Sequence, residues 1–269
     1  MSNQDTLYPF FDKRIIFPYW SRGQISFMIG RQTPGTPKKD WEIPKYKKLP
    51  VYDEQKRKYV AKFINNSLLY NEYLLMSKPE YVIITEGVTD CIALMQQGLP
   101  AISPVTVRIR EADWERLIAK LHNVQTVYIC QDNEISQAGL KGALQTANIP
   151  SKHNIDAKLI ILPLDEPQIQ ARNELRNRFK VDVTLSQNDL LDAIRNHSPA
   201  ERQEAERLMA AAKSDVNDFF AAGHTREEFL ALLDKAMTPL VLAISNIPMQ
   251  PAGKKKNSYV DAILTEIAA

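Results

Sequence analysis

The sequence predicts an α/β protein built on a mostly parallel sheet flanked by helices, with a basic, β-containing subdomain ahead of it and a helical region behind. Two observations carry the sheet. Tyr81–Thr85 (YVIIT), Thr126–Cys130 (TVYIC) and residues 157–162 (AKLIIL) are short apolar runs rich in β-branched residues, as strands covered on both faces require. Segments with helical spacing, 88–97, 110–121 and 137–147, separate them in the rhythm of βαβ units. A third observation separates the front of the chain. The net charge of +2 conceals 13 Lys/Arg against 6 Asp/Glu in residues 1–62, or +7, and −5 over the remainder. A positive front attracts polyanions, although a solvated basic face has the same composition.

With 269 residues, 44% hydrophobic and 25% charged, the chain has the composition of a globular protein, which excludes disorder over most of its length. No apolar run approaches the ~20 residues of a membrane span, and MSNQDTLYPFF lacks the pattern of a secretory signal, so a cytoplasmic location with no membrane partner is expected. Cys91 and Cys130 have no C-x-x-C spacing, which leaves no disulfide framework and no zinc site to build from this chain; both read as small buried hydrophobes. His122, His153, His197 and His224 lack ligand spacing and read as surface or capping residues.

At the front, residues 14–17 and 24–29 flank Ser21-Arg22-Gly23 and predict a β-hairpin. Residues 33–48, rich in Pro, Gly and Lys, predict irregular structure in which Lys38, Lys39, Lys45, Lys47 and Lys48 alternate with Trp41 and Tyr46, a mixture suited to phosphates and bases. Residues 56–73 have helical spacing, with Val60, Phe63, Ile64, Leu68 and Tyr70 on the apolar face, and Lys78-Pro79 ends the segment. A short strand is expected at 101–103, and Trp114 shares a core-facing helix stripe with Leu117, Ile118 and Leu121. Residues 166–213 break the rhythm and read as a helical insertion, in which Ser198-Pro199-Ala200-Glu201 forms a capping box with Pro at the first helical position. A second box, Thr225-Arg226-Glu227-Glu228, starts a helix through Ala236, and 246–258 reads as a linker before a short terminal helix. The expected division is 1–78, 79–165, 166–213, 214–245 and 246–269.

In an open α/β sheet, ligands bind beyond the carboxyl ends of the strands. Glu86 follows the strand ending at Thr85, Asp90 lies one helical turn on, and Asp132 and Glu134 follow the strand ending at Cys130. Asp215-Val216-Asn217-Asp218, before Phe219-Phe220, is a third acidic group able to close the same site. Carboxylates brought together need a cation, and hard oxygen donors specify Mg²⁺ or Mn²⁺. Each acid after a strand also suits a helix cap, and Gly87 and Gly139 suit turns or helix packing.

The motif Ile83-Ile84-Thr85-Glu86-Gly87-Val88-Thr89-Asp90 resembles the strand-Glu-Gly-x-x-Asp of the Toprim domain, shared by bacterial-type primases, topoisomerases and several nucleases. Asp132-Asn133-Glu134, followed by Gln137-Ala138-Gly139, resembles its Asp-x-Asp with a nearby Ala-Gly. Upstream, Asp12-Lys13-Arg14-Ile15-Ile16-Phe17-Pro18, Gly23, Gly30-Arg31 and Lys45-Tyr46 resemble, in order, the hairpin and Lys-Tyr segment of the bacterial-type primase catalytic core, and Asp215–Asp218 resembles its later Asp-x-Asn-Asp.

That resemblance implies a template-directed nucleotidyltransferase making short primers on single-stranded DNA from nucleoside triphosphates with Mg²⁺ or Mn²⁺. A Toprim nuclease and a non-catalytic nucleic-acid-binding primase-like protein are the alternatives. It implies Glu86 as the acid nearest the chemistry, as metal ligand or base. Asp132 and Glu134, with Asp90, Asp215 and Asp218, would hold the metals, and Arg14, Arg31 and Lys45 would contact template or nucleotide phosphates. A replicative helicase or a separate zinc-binding module is the implied protein partner. The sequence departs from the family's pattern in four places. Glu134 stands for an Asp, residues 102–106 lack the usual Gly, the 166–213 insertion has no counterpart, and no zinc ribbon precedes the core.

Overall fold

The computed structural model describes residues 9–37, 45–53, 57–61, 63–104, 109, 111–136, 138–181 and 192–245. The chain divides into two compact units, Met1–Tyr73 and Leu74–Ala269.

In the first unit, β1 (Ile15–Ser21) and β2 (Gln24–Arg31) form the expected hairpin, longer than predicted at both strands. Arg22 and Gly23 take φ of 51° and 76°, the left-handed pair a two-residue hairpin turn demands, and glycine supplies the second at no steric cost. The pleat sends Phe17, Tyr19, Phe27 and Ile29 inward, where Tyr19 meets Phe27 and Tyr70 edge-on at 5.5 and 5.4 Å. At Gly30 a Cβ would stand 2.5 Å from Phe11 Cδ1 and 3.2 Å from Arg14 Cβ, so this backbone is overlaid too closely for any other residue.

Two expectations for this unit are corrected. Residues 33–48 are not irregular throughout: β3 (Tyr46–Lys48) pairs antiparallel with β2, Arg31 opposite Tyr46, because the free edge of β2 satisfies its backbone groups. The described residues of 56–73 do not form the expected α-helix, and only Glu72 and Tyr73 enter a short 3-10 segment that runs to Ser77. Instead β4 (Tyr52–Asp53) pairs with β5 (Lys58–Tyr59), the Asn65 amide donates to Ser26 O, its Oδ1 accepts from Ser67 N, and Asn71 sits at φ 58°. Asparagine side chains that bond their own backbone favour turns over helix, and they override the apolar spacing here. Ile64 and Leu68 are buried as expected, whereas Val60 and Phe63 are exposed. Lys38, Lys39 and Trp41 lie outside the described residues.

The second unit carries a four-stranded parallel sheet in the order β7 (Ala101–Ile102), β6 (Tyr81–Thr85), β8 (Thr126–Cys130), β9 (Asp156–Ile160). The crossovers are α1 (Val88–Gln96), α2 (Glu111–Lys120) and α3 (Ala138–Lys152). Val82, Ile83, Val127 and Ile129 are fully buried, as strands sandwiched between helices require. Cys91, Cys130 and Trp114 are buried, matching their reading as core residues. Helix α3 outruns the expected end at 147: it passes through Pro150 in its last turn, and Ser151 Oγ donates to Ala147 O. The outer edge of β9 is covered by a backbone bridge, Leu159 N to Met237 O at 2.7 Å with its reciprocal at 3.1 Å.

The polar stretch after the sheet forms α4 (Glu166–Phe179) and α5 (Pro199–Ala211), which bury Ala171, Leu175, Phe179, Ala205 and Leu208 in a satellite core with Ile135. Both expected capping boxes, at Ser198 and Thr225, are present. Helices α6 (Val216–Ala221), α7 (Arg226–Asp234) and α8 (Pro239–Ser245) follow. The expected linker and terminal helix lie outside the described residues. Among the described residues no helix is long and apolar enough to cross a membrane.

Replacing Ile129, at the centre of β8 with no exposed surface, by Ala should cost about 2–5 kcal/mol in urea unfolding, whereas the same change at exposed Ile15 should stay within about 0.5 kcal/mol. Equal effects at the two positions would contradict the burial assigned to the sheet.

Candidate active site

Parallel pairing of β6 with β8 sets Thr85 opposite Cys130, so the chain leaves both strands at the same rim and Glu86 emerges beside Asp132. Gly87 then caps α1. A Cβ there would stand 2.6 Å from Asp90 Oδ2, so the glycine makes room for a buried carboxylate one turn into the helix. Asn133 bridges to Ser214, its N to Ser214 O at 2.8 Å and Ser214 N to Asn133 O at 3.1 Å. This bridge draws the third acidic group to the rim. Asn217 Nδ2 then donates to Asp90 Oδ1 at 2.5 Å.

The six acids share one electrostatic network. Burial, then the charges of Asp132 and Glu134, push Glu86 up to about 7. Burial, then Asp215 and Asp132, push Asp90 up to about 7 as well. Asp132 is raised chiefly by burial, against the pull of Lys213, and Asp218 by burial and Asp215. Lys213 Nζ donates to Asp132 Oδ2 at 2.7 Å and lies 3.5 Å from Asp215 Oδ2. Burial alone would lower the Lys213 ammonium, but these two carboxylates outweigh it and hold its pKa above the usual lysine value.

Asp215 and Asp218 also serve as the capping box of α6: Asp215 Oδ1 accepts from Asp218 N at 2.8 Å, and Asp218 Oδ2 accepts from Asp215 N at 3.2 Å. Capping and clustering are thus both true of this pair. Among the described residues no group of three or more His, Cys, Asp or Glu side chains is arranged to hold a metal ion. The chemistry of the donor set nonetheless suits a hard divalent cation: it is all carboxylate oxygen, and neighbouring carboxylates add to the burial that raises Glu86 and Asp90 to about 7.

The remaining candidates, Arg14, Arg31 and Lys45, belong to the first unit. Arg14 is buried and its Nη1 donates to Gly30 O at 3.2 Å. Arg31 is half-buried, its guanidinium 5.9 Å from the Tyr46 ring centroid, and Lys45 is exposed.

Sequence reasoning missed Lys213, Asn217 in its contact with Asp90, and Arg172. Arg172, on α4, donates from Nη2 to Asn133 O and Oδ1 at 2.9 and 3.0 Å and from Nε to Ala212 O at 2.9 Å, tying the loop after β8 to the segment before Asp215. Nothing in the local sequence marks it, since its partners lie 39 and 40 residues away. His224 is no simple surface residue: Nε2 lies 3.0 Å from Asp165 Oδ1, Nδ1 lies 3.4 Å from Glu228 Oε2, and the ring stacks on Phe219 at 4.3 Å.

A four-stranded parallel sheet flanked by helices with acids at its carboxyl rim, in a chain that also carries an antiparallel hairpin unit, is an α/β fold of the Toprim type. Comparison with known proteins agrees. The fold is shared with the E. coli primase catalytic core, at TM-score 0.56 and 16% identity over 100% of this chain and 72% of that one. It is also shared with a DnaG primase catalytic domain determined bound to single-stranded DNA, at TM-score 0.53 and 15% identity over 95% and 69%. In sequence, the chain is 29% identical over 186 residues to the DNA primase of Buchnera aphidicola subsp. Baizongia pistaciae, covering 66% of this chain. The chain spans 29% of that relative's length. No family model matches.

Stability without metal should decline with rising pH. Glu86 and Asp90 have folded pKa values near 7 against ordinary values of 4.5 and 3.8, so between about pH 5 and 7 the folded state keeps protons that the unfolded chain has released. The urea midpoint in EDTA should fall across that window and level off above it, and Glu86→Gln with Asp90→Asn should flatten the slope. A second expectation concerns the clamp: Arg172→Ala should cost about 1.5–3 kcal/mol by removing the guanidinium's bonds to Asn133 O and Oδ1 and to Ala212 O, and Arg172→Lys should recover only part, since an ammonium lacks the planar fork.

Proposed function

We propose that the chain is a primase catalytic core: a template-directed nucleotidyltransferase that synthesises short primers on single-stranded DNA. The observation that supports this reading most is the convergence of Glu86, Asp90, Asp132, Glu134, Asp215 and Asp218 into one charge network at the carboxyl rim of a primase-type sheet. Asp90, Asp132, Glu134, Asp215 and Asp218, with Glu86 beside them, are the residues to hold Mg²⁺ or Mn²⁺. The bound ions would offset charge on the triphosphate and the reacting oxygens.

In this reading the chain's own groups bind, orient and move a proton. Glu86, near neutrality in its pKa, takes the proton of the primer's 3′-hydroxyl as that oxygen bonds to the α-phosphorus of the incoming nucleotide. The bond between the α-phosphorus and the bridging oxygen to the β-phosphate breaks, and pyrophosphate leaves with the electron pair. Arg14, Arg31 and Lys45 are assigned to template or nucleotide phosphates. Lys45 is exposed just before β3 and Arg31 is half-buried at the end of β2 against Tyr46, while Arg14 first secures the hairpin through Gly30. A replicative helicase and a separate zinc-binding module as partners, a cytoplasmic setting, and the five-segment division of the chain belong to the same proposal.

Labelled nucleoside triphosphates, single-stranded template and Mn²⁺ should yield short oligomers, and Glu86→Gln should lower the yield by about a hundredfold or more. The variant loses a repelled charge and should be at least as stable as the parent above pH 7, which separates lost chemistry from lost fold. Equal synthesis by the variant would overturn the role of Glu86. Cleavage of template without nucleotides would mark a nuclease instead, and salt-sensitive binding indifferent to metal and to Glu86 would mark a binding module.

A further inference from the structure

We propose that Lys213 is a built-in counter-ion that occupies one cation position of the acidic site and is displaced when a divalent metal loads there, so that it sets the site's metal affinity. The inference rests on the metal-binding reading of the carboxylates given above.

The geometry is that of a cation site filled by an ammonium. Nζ lies between two carboxylates from separate segments, 2.7 Å from Asp132 Oδ2 and 3.5 Å from Asp215 Oδ2. Those are the acids that bridge the two halves of the cluster, since Asp132 acts on both Glu86 and Asp90 and Asp215 acts on Asp90 and Asp218. A single positive charge here replaces part of what a divalent ion would supply.

The lysine also has a way out. Its side chain is 34% exposed, against 17% for Asp132 and 20% for Asp215, so the stem lies more open to water than the carboxylates it pairs with. The backbone on either side is pinned, by the Asn133–Ser214 bridge and by Arg172 on Ala212 O. Leaving the site is therefore a rotation of a flexible four-carbon stem, with no refolding of the loop. An arriving Mn²⁺ must displace the ammonium, and the free energy of that ion pair is subtracted from metal binding.

The test is Mn²⁺ titration of the full chain by electron paramagnetic resonance, comparing the parent with Lys213→Met, which keeps the stem and removes the charge, and with Asp132→Asn. Lys213→Met should bind Mn²⁺ about fivefold to tenfold more tightly, the scale of a half-exposed ion pair removed from competition. In EDTA it should melt at a lower temperature than the parent, and Mn²⁺ should raise its melting temperature by more. On the parent itself, the ¹⁵N ammonium resonance of Lys213, assigned by its loss in Lys213→Arg, should be visible in EDTA and vanish or shift at saturating Mg²⁺. Mn²⁺ affinity lost in Asp132→Asn but unchanged or weaker in Lys213→Met would overturn the inference and leave the metal site standing. An ammonium resonance indifferent to saturating Mg²⁺ would overturn it as well, even if Lys213→Met failed to fold. The absence of saturable Mn²⁺ binding to the parent and to Lys213→Met alike would instead remove the metal-binding reading itself, and the inference with it.

Discussion

Repulsion among carboxylates gathered at the carboxyl rim of β6 and β8 is the constraint around which the second unit is organised. Parallel pairing of two neighbouring strands with acids just past both ends makes the convergence unavoidable: once Thr85 is opposite Cys130, Glu86 and Asp132 leave the sheet side by side. Burial then makes the repulsion count, since a charge withdrawn from water loses its screening. The fold answers in three ways visible in the structure. It keeps Glu86 and Asp90 easy to protonate, it donates Asn217 Nδ2 to Asp90, and it inserts the Lys213 ammonium between Asp132 and Asp215. None of these removes the excess charge, which is the condition under which a divalent ion has most to contribute.

The helices between the third acidic group and the sheet take their significance from the same constraint. Asp215 stands 55 residues after the end of β9 at Ile160, and a loop of that length would leave it poorly placed. Helices α4 and α5 fold on each other around Leu175, Phe179 and Leu208 and return the chain to the rim. Arg172 fastens that return, bonding both Asn133 and Ala212 from a single guanidinium. Polar helices with little apolar surface of their own thus bury just enough to act as a brace.

The sheet was legible in the sequence because its strands are buried on both faces: YVIIT and TVYIC have no alternative that hides so many β-branched side chains. The capping boxes were legible because Ser198 with Glu201 and Thr225 with Glu228 are local, each closing within three residues. What failed was whatever depended on partners distant in the chain. Tyr46–Lys48 became a strand because β2 had an open edge, and 56–73 lost its helix to an asparagine turn anchored on Ser26. The site divides along the same line. Its acids could be named from their places after strands, whereas Lys213 and Arg172 acquire meaning only when segments 81 and 39 residues apart meet.

Burial also divides the three cations of the first unit by what each can offer a polyanion. Arg14, with Phe11 over the same glycine and its Nη1 on Gly30 O, is committed to the hairpin, and its removal would disturb β2 before it weakened any contact with phosphate. Arg31 stands opposite Tyr46 in the β2–β3 pair, its guanidinium carbon 5.9 Å from the ring centroid, within cation–π reach. Lys45 is exposed, and its main-chain carbonyl, bonded to Gln32 N, fixes where the side chain starts without restricting where it reaches. Of the three, Lys45 is the most open to solvent and Arg14 the least, so under the proposed reading the outer cations would meet a polyanion first and Arg14 would act through the strand it supports. The formal +7 of residues 1–62 overstates the charge available for binding, because a buried guanidinium counts in the sum while serving the fold.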